Sequence, residues 1–211
     1  MQSLITVFMV ELSLHIEKAG LQTLIMDQGR SGWQEKGVPV GGALDRLAAA
    51  TANYLVGNPP ETPVLEITLM GPQIRFSGQG QIAICGADLN PQLDQQPAKM
   101  YQTITVEAQQ RLHFGRVRNG CRTYVAIRGR WEIPKWLGSA SAFTALPALT
   151  PKSFLQKGDI LQFEASTLIP TRSFLPPHEP EQYLIHLLEG PEFHLFSPQH
   201  LAHFFSQTHR I

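Results

Sequence analysis

The chain has 211 residues, enough for one large domain or two small ones, and a hydrophobic share of 43% against 16% charged leaves ample side chain for a core and excludes a disordered chain. Lys+Arg and Asp+Glu both number 17, so a formal net charge of zero offers nucleic acid or an anionic membrane no bulk attraction. The apolar run 4–10 is too short to span a bilayer and lacks signal-peptide flanks, while Cys85 and Cys121, both in apolar strand-like runs, read as two buried thiols of a reducing cytoplasm.

Residues 27–45 carry the densest signal. Gly29, Gly32, Gly37, Gly41 and Gly42 fall within this stretch, with Asp27, Arg30 and Asp45 among them. Glycine costs backbone entropy on folding, so such density belongs where φ is positive or where something approaches the backbone closely. A helix over residues 46–56 follows at once. Asp45 is a good N-cap, alanines fill the interior, and Gly57 then Asn58-Pro59-Pro60 stop it. A glycine-shaped loop running into a helix N-terminus is a common holder of small anionic or polar ligands. Downstream, strand-like runs dominate. Residues 64–70, 73–76, 81–85, 102–106, 111–114, 123–127, 160–163 and 183–188 are short, rich in β-branched or aromatic residues, and separated by Gly, Pro or Asn. Their spacing predicts a mainly-β barrel or sandwich. Residues 167–180 hold Pro170, Pro176, Pro177 and Pro180 without an apolar period and read as a linker. Ser197 as N-cap and Pro198 at the first helical position predict a second helix, Pro198–Ser206.

Arg30 is the first candidate for chemistry. Its planar fork suits carboxylate or phosphate, and the neighbouring glycines open backbone amides to a ligand; pinned to Asp27, it is a loop strut instead. Glu66 alternates with Val64 and Thr68 on one strand face, opposite Leu65, Ile67 and Leu69. There it serves as a general base, as the partner of an arginine, or as a satisfied strand glutamate. Capping accounts for Asp45, whereas Asn53, mid-helix where asparagine has poor propensity, is expected to bond the preceding glycine loop or to join the site. Arg122, Arg128 and Arg130 share a parity that predicts one basic strand face beside Tyr124. His200 and His203 have helical spacing, but no carboxylate or cysteine joins them, so no metal motif is read. Gly78-x-Gly80 lacks the helix that dinucleotide binding requires, and neither a Gly-Lys-Ser/Thr phosphate loop nor a Gly-x-Ser-x-Gly elbow is present.

Asp27-x-Gly29-Arg30-x-Gly32, Gly37-Val38-Pro39, Gly42-Ala43-x-Asp45, Ala52-Asn53 and Leu55-x-Gly57-Asn58 together resemble the signature of allophanate hydrolase subunit 2. That family is also called the biotin-dependent carboxyltransferase-like proteins and includes the C subunit of the prokaryotic ATP-dependent 5-oxoprolinase. The likeness continues through Leu65-Glu66-x-Thr68-x-x-Gly71-Pro72, Ile84-Cys85-Gly86-Ala87 and Arg122-x-Tyr124-x-Ala126 to Pro134-x-x-Leu137-Gly138-Ser139. The resemblance implies cyclophilin-like β-barrels in tandem: a first barrel over residues 12–168 and, over 181–211, the opening strand and helix of a second lobe that ends early. Apolar residues of that tail are then expected to pack onto the first barrel or onto another copy of the chain. Met9 stands just ahead of the family-like segment, which leaves Met1 and Met9 as alternative starts.

The resemblance also implies a cytoplasmic hydrolase subunit that works with a subunit-1-like or subunit-B-like barrel protein, and in 5-oxoprolinase with a third subunit. ATP would drive the opening of 5-oxoproline to glutamate, or act on allophanate. On this reading Arg30, Asp27 and Glu66 are the catalytic candidates, and Gly29, Gly32, Gly42, Asp45, Asn53, Arg122 and Ser139 the substrate-binding ones. Biotin enters only under an alternative, the carboxyltransferase half of a urea carboxylase-like system. A second alternative is a non-catalytic regulator that antagonises a kinase inhibitor. Ala140 and Ala142 stand where the family usually carries arginine and threonine, and Arg128 and Arg130 flank Gly129 where small residues are usual. Both departures point toward impaired catalysis or a partner-facing basic strip.

Overall fold

Residues 12–164, 167–176 and 187–208 are described by the computed structural model. In chain order the strands are Leu12–Lys18 (β1), Gln22–Met26 (β2), Val64–Thr68 (β3), Gln73–Phe76 (β4), Gly80–Asp88 (β5), Pro91–Leu93 (β6) and Gln96–Pro97 (β7). Thr103–Val106 (β8), Arg111–Phe114 (β9), Asn119–Ile127 (β10), Arg130–Trp131 (β11) and Ile160–Glu164 (β12) follow. Helix α1 is Arg46–Leu55 and helix α2 is Pro198–Ser206. The fold is mainly β, as the sequence predicts.

Two antiparallel sheets form, one in the order β11-β12-β1-β4-β9-β6-β7 and the other in the order β2-β3-β10-β5-β8. Alternation along the strands decides what each face covers. Leu12, Leu14 and Ile16 of β1 and Ile74 and Phe76 of β4 share one buried cluster with Ile25, Leu65, Ile67, Ile82, Ile84, Val125 and Ile127 from the other sheet. Each such side chain contributes roughly 1.5–3 kcal/mol on burial, so this layer between the sheets is the main source of stability. The opposite face of the five-stranded sheet carries Leu24, Met26, Val64, Ala83, Cys85, Tyr124 and Ala126, and α1 covers it with Ala48, Ala49, Ala52 and Leu55. The small alanines let the helix axis approach the sheet closely. That closeness sets the task of the preceding loop, which must carry the chain from the end of β2 to the start of α1.

Several expectations are revised. Strands β1, β2, β6, β7 and β11 are absent from the predicted set; β2 is buried on both faces and carries no simple alternation, and β6 and β7 contain prolines. The predicted linker is partly bound to the fold. Residues 169–174 run beside β8, with Thr103 N–H donating to Arg172 O at 2.8 Å and Phe174 N–H to Tyr101 O at 2.8 Å. The Gln81 side chain clasps the Ile169 backbone through both its amide groups, at 2.7 and 2.9 Å. No single basic strand face exists among the described residues either. Arg122 is on β10, Arg130 is on β11 in the other sheet, and Arg128 between them donates to the carbonyls of Thr167 and Val56. Of the two cysteines expected to be buried, Cys85 is and Cys121 is exposed; both are free thiols.

The chain divides into two units, Met1–Pro176 and Pro177–Ile211. In the second, α2 is capped by Ser197, whose side chain accepts the His200 N–H, and Phe204 and Phe205 meet edge to face at 5.2 Å. Of the strand predicted over 183–188, residues 183–186 lie outside the described residues, while Leu187 and Leu188 are exposed and not in a strand.

Candidate functional site

Beyond Met26 the chain leaves the sheet through Asp27 and turns back on itself. Arg30 N–H donates to Val40 O at 2.7 Å and Ala43 N–H to Asp27 O at 2.9 Å, so two backbone bonds close the base of the glycine loop. Gly29 and Gly42 meet there backbone to backbone. A Cβ on Gly29 would stand 2.4 Å from Val40 O, and one on Gly42 would stand 2.7 Å from Gln28 C, so no side chain fits at either.

The Asp27 carboxylate binds a second segment to this base. Its Oδ1 accepts Gly29 N–H at 2.8 Å and the hydroxyls of Ser139 and Ser141 at 2.5 and 2.6 Å; its Oδ2 accepts Ala140 N–H at 2.7 Å. Ser141 Oγ in turn accepts Asp27 N–H at 2.8 Å. Hydrogen bonds to an ionised acceptor are the strong ones, and all of these are buried or nearly so. Arg30 does not pair with Asp27. Only 2% exposed, it donates through Nη2 to Ser141 O, and its guanidinium lies over the rings of Trp136 at 5.0 Å and Phe143 at 5.6 Å. Its Nε and Nη1 are buried, and no group of the described residues partners them. Burial pushes the Arg30 pKa below its ordinary value, with the field of Asp27 acting the other way.

A second polar cluster fixes the start of α1. Leu44 N–H donates to Glu66 Oε2 at 2.9 Å, Asp45 N–H to Tyr124 Oη at 2.8 Å, and the Tyr124 hydroxyl to Glu66 Oε2 at 2.9 Å. Three successive backbone N–H groups, those of Ala43, Leu44 and Asp45, thus find acceptors on three different strands or strand ends. Asp45 then caps the helix, its side chain accepting Ala48 N–H. Burial raises the Tyr124 phenol pKa, and the Glu66 carboxylate adds to the rise. Arg122 approaches from β10, its Nε 3.4 Å from Glu66 Oε1, with the side chain one-third exposed. The structure therefore brings Asp27, Gly29, Arg30, Gly42 and Ser139 together, and Asp45, Glu66 and Arg122 beside them through the 43–45 segment.

Two predicted residues are elsewhere. Asn53, fully buried, donates to the carbonyls of Thr62 at 2.7 Å and Pro60 at 3.4 Å. It holds the loop that follows α1, not the glycine loop that precedes it, because it lies near the C-terminal end of the helix. Gly32 is exposed on the loop, with open space around it. Sequence reasoning missed Ser141, Trp136 and Phe143; the Ser139-x-Ser141 spacing on a segment flanked by aromatics was the available signal. Clefts of about 750 and 830 Å³ share Trp131–Pro134 and are lined by none of the predicted catalytic or substrate-binding residues, although Arg128 and Arg130 line the second. Among the described residues no group of three or more His, Cys, Asp or Glu is placed to hold a metal, and no helix is long and apolar enough to cross a membrane.

Comparison with known proteins gives these relations an ancestry. The family described as carboxyltransferase domain, subdomain A and B, matches residues 36–211. The urea amidolyase of Saccharomyces cerevisiae is 31% identical over 94% of this chain, and the C subunit of the 5-oxoprolinase of Escherichia coli is 34% identical over 87% of it. The chain spans 12% of the first relative and 59% of the second. Among solved structures, that of TTHA0988 superposes over 88% of this chain and 37% of its own with a TM-score of 0.77 at 31% identity. That of the K. lactis urea amidolyase superposes over 92% of this chain and 13% of its own with a TM-score of 0.75 at 29% identity.

Proposed function

The chain belongs to the carboxyltransferase subdomain A and B family, and from that membership we propose that it works as a subunit of a multi-subunit, ATP-dependent amidohydrolase resembling 5-oxoprolinase. The observation that carries this reading is the 34% identity to the C subunit of the E. coli 5-oxoprolinase over 87% of the chain. Opening the lactam consumes ATP and two waters and yields glutamate, ADP and phosphate. An amide is a poor electrophile, and phosphorylating its oxygen turns that oxygen into part of a leaving group. Negative charge accumulates on the phosphoryl and amide oxygens, and preorganised cations lower the barrier there. Arg122, partly exposed and oriented by Glu66, is the cationic contact assigned on this chain, beside the glycine loop. Asp27 and Glu66 act as positioning residues, since their oxygens hold backbone N–H and hydroxyl groups. A subunit-B-like barrel protein and a third subunit complete the cleft.

The urea amidolyase relatives and the description of the matching family favour a second reading, the carboxyltransferase component of a biotin-dependent urea carboxylase-like system. The unpartnered nitrogens of Arg30 and the partly exposed guanidinium of Arg122 suit an anionic oxygen in either chemistry, so these residues do not by themselves select biotin. Complementation separates the readings. An E. coli strain deleted for the C subunit of its own 5-oxoprolinase and expressing this chain should regain ATP-dependent release of glutamate from 5-oxoproline in extracts. The purified chain alone should show none, because the cleft is shared. No rescue by a chain that co-purifies with the other E. coli subunits, or robust turnover by the chain alone, refutes the proposal.

A further inference from the structure

We propose that Arg30 is the binding site of a small oxyanion, a carboxylate or a phosphate, which enters beneath the glycine loop and takes the guanidinium nitrogens left without a partner among the described residues. The proposal deepens the functional reading above by naming the ligand class of the same loop.

An isolated charge in a protein interior is strongly unfavourable unless it is paired and hydrogen-bonded. Arg30 is 2% exposed, and the acceptor it reaches is the neutral carbonyl of Ser141. The neighbouring carboxylate favours the Arg30 charge through its field but takes none of its N–H groups. Asp27 has both oxygens engaged by Gly29, Ser139, Ala140 and Ser141. Nε and Nη1 are left with hydrogens to donate and nothing among the described residues to receive them. The rings of Trp136 and Phe143 lie over the guanidinium at 5.0 and 5.6 Å, which eases burial of the cation without using any N–H. Arginine is thus held rigidly in position with its donors available, the arrangement that suits an oxyanion.

Gly41, solvent-exposed at φ 65°, lies beside Nη1: a Cβ there would stand 3.4 Å from that nitrogen, so glycine leaves the space next to the guanidinium open. The stretch between the two closing bonds is fastened mainly to itself: Gly32 N–H donates to the Gln34 side chain, and the N–H groups of Lys36, Gly37 and Val38 donate to Trp33 or Gln34.

The test uses the full chain in chloride buffer, titrated separately with inorganic phosphate, 5-oxoproline and acetate, with thermal unfolding as the readout. At least one of the three should raise the Tm of the wild type in a saturable manner. Arg30→Met should abolish the saturable part, leaving only the general salt effect of phosphate that both proteins share. Response to phosphate alone identifies a phosphoryl group as the ligand, and response to 5-oxoproline or acetate alone a carboxylate. Hydrogen exchange on the wild type provides a second measurement that does not depend on the variant folding. The same anion should slow exchange over residues 30–42 and 139–143. No saturable response in the wild type, an equal response in Arg30→Met, or protection spread evenly over the chain overturns the proposal. Complementation that fails while this binding persists sinks the amidohydrolase reading alone, and rescue without anion binding sinks this inference alone.

Discussion

Replacing Asp27 by alanine tests the account of the loop base most directly. The carboxylate accepts four hydrogen bonds, from the backbone N–H groups of Gly29 and Ala140 and from the hydroxyls of Ser139 and Ser141. Bonds to an ionised acceptor are worth about 1.5–3 kcal/mol each when a donor is then left unsatisfied. The simple sum overshoots, for two reasons. The hydroxyls can turn to other acceptors, and removing a buried carboxylate also removes its own desolvation cost. The two backbone N–H groups have no such freedom, and Arg30 loses the favourable field of Asp27. The net expectation is a loss of about 4 kcal/mol, a large share of the stability of an ordinary domain. Urea unfolding followed by tryptophan fluorescence measures it, with the slope of free energy against urea compared between variants to check that the unfolding unit is unchanged. Ser139→Ala and Ser141→Ala should each cost about 1–2 kcal/mol, because Asp27 keeps its other donors. A loss below about 1 kcal/mol for Asp27→Ala, with the slope unchanged, would show that the loop is held by something other than this carboxylate.

Tyr124→Phe removes the acceptor of Asp45 N–H and one donor to Glu66, and should cost about 1–2 kcal/mol in thermal or urea unfolding; a neutral or stabilising result refutes the assigned role at the start of α1. A thiol reagent at pH 8 should modify Cys121 in the native protein and reach Cys85 only after unfolding, and modification of both in the native state contradicts the packing. Burial pushes the Cys85 thiol up to about 12 and also raises Tyr124, so both remain protonated in the folded chain while their unfolded counterparts ionise. Stability should therefore fall as pH rises above about 9, by about 1–2 kcal/mol between pH 8 and pH 10, and a rise over that interval reverses the sign of the argument.

Local physics made part of this fold legible and hid the rest. The helix from Arg46 was readable because its cap, its alanines and its stop are all local, and Asp45 performs the role its position predicts. The paired strands β3 and β10 were readable because both are rich in β-branched residues and are followed by Gly or Pro turn signals. Strand β2 was not, since it is covered on both faces and its five residues, Gln22–Met26, include only two β-branched ones. The destinations of polar side chains were the least readable. Asn53 turned out to bond the loop after its helix, and Arg30 to bond Ser141, more than a hundred residues away. Such pairings depend on which strands become neighbours, and no window of sequence around either residue contains that information.

The distribution of unsatisfied groups constrains the chemistry this loop can perform. In a site built for proton abstraction, a carboxylate keeps an oxygen available and neighbouring cations are neutralised. Here the balance is inverted at Arg30. Asp27 and Glu66 have their oxygens engaged, by backbone N–H and hydroxyl groups and, at Glu66 Oε1, by the Arg122 guanidinium, whereas Nε and Nη1 of Arg30 are buried without a hydrogen-bond partner among the described residues. The two carboxylates fix the backbone from residue 27 to residue 45, and the two guanidinium groups are what that fixed backbone presents. A loop so arranged suits stabilising negative charge that another component generates, as phosphorylation of an amide oxygen does, and is poorly suited to generating a nucleophile from its own carboxylates. The water-activating base of any reaction at this cleft should accordingly come from outside residues 27–45 and 66.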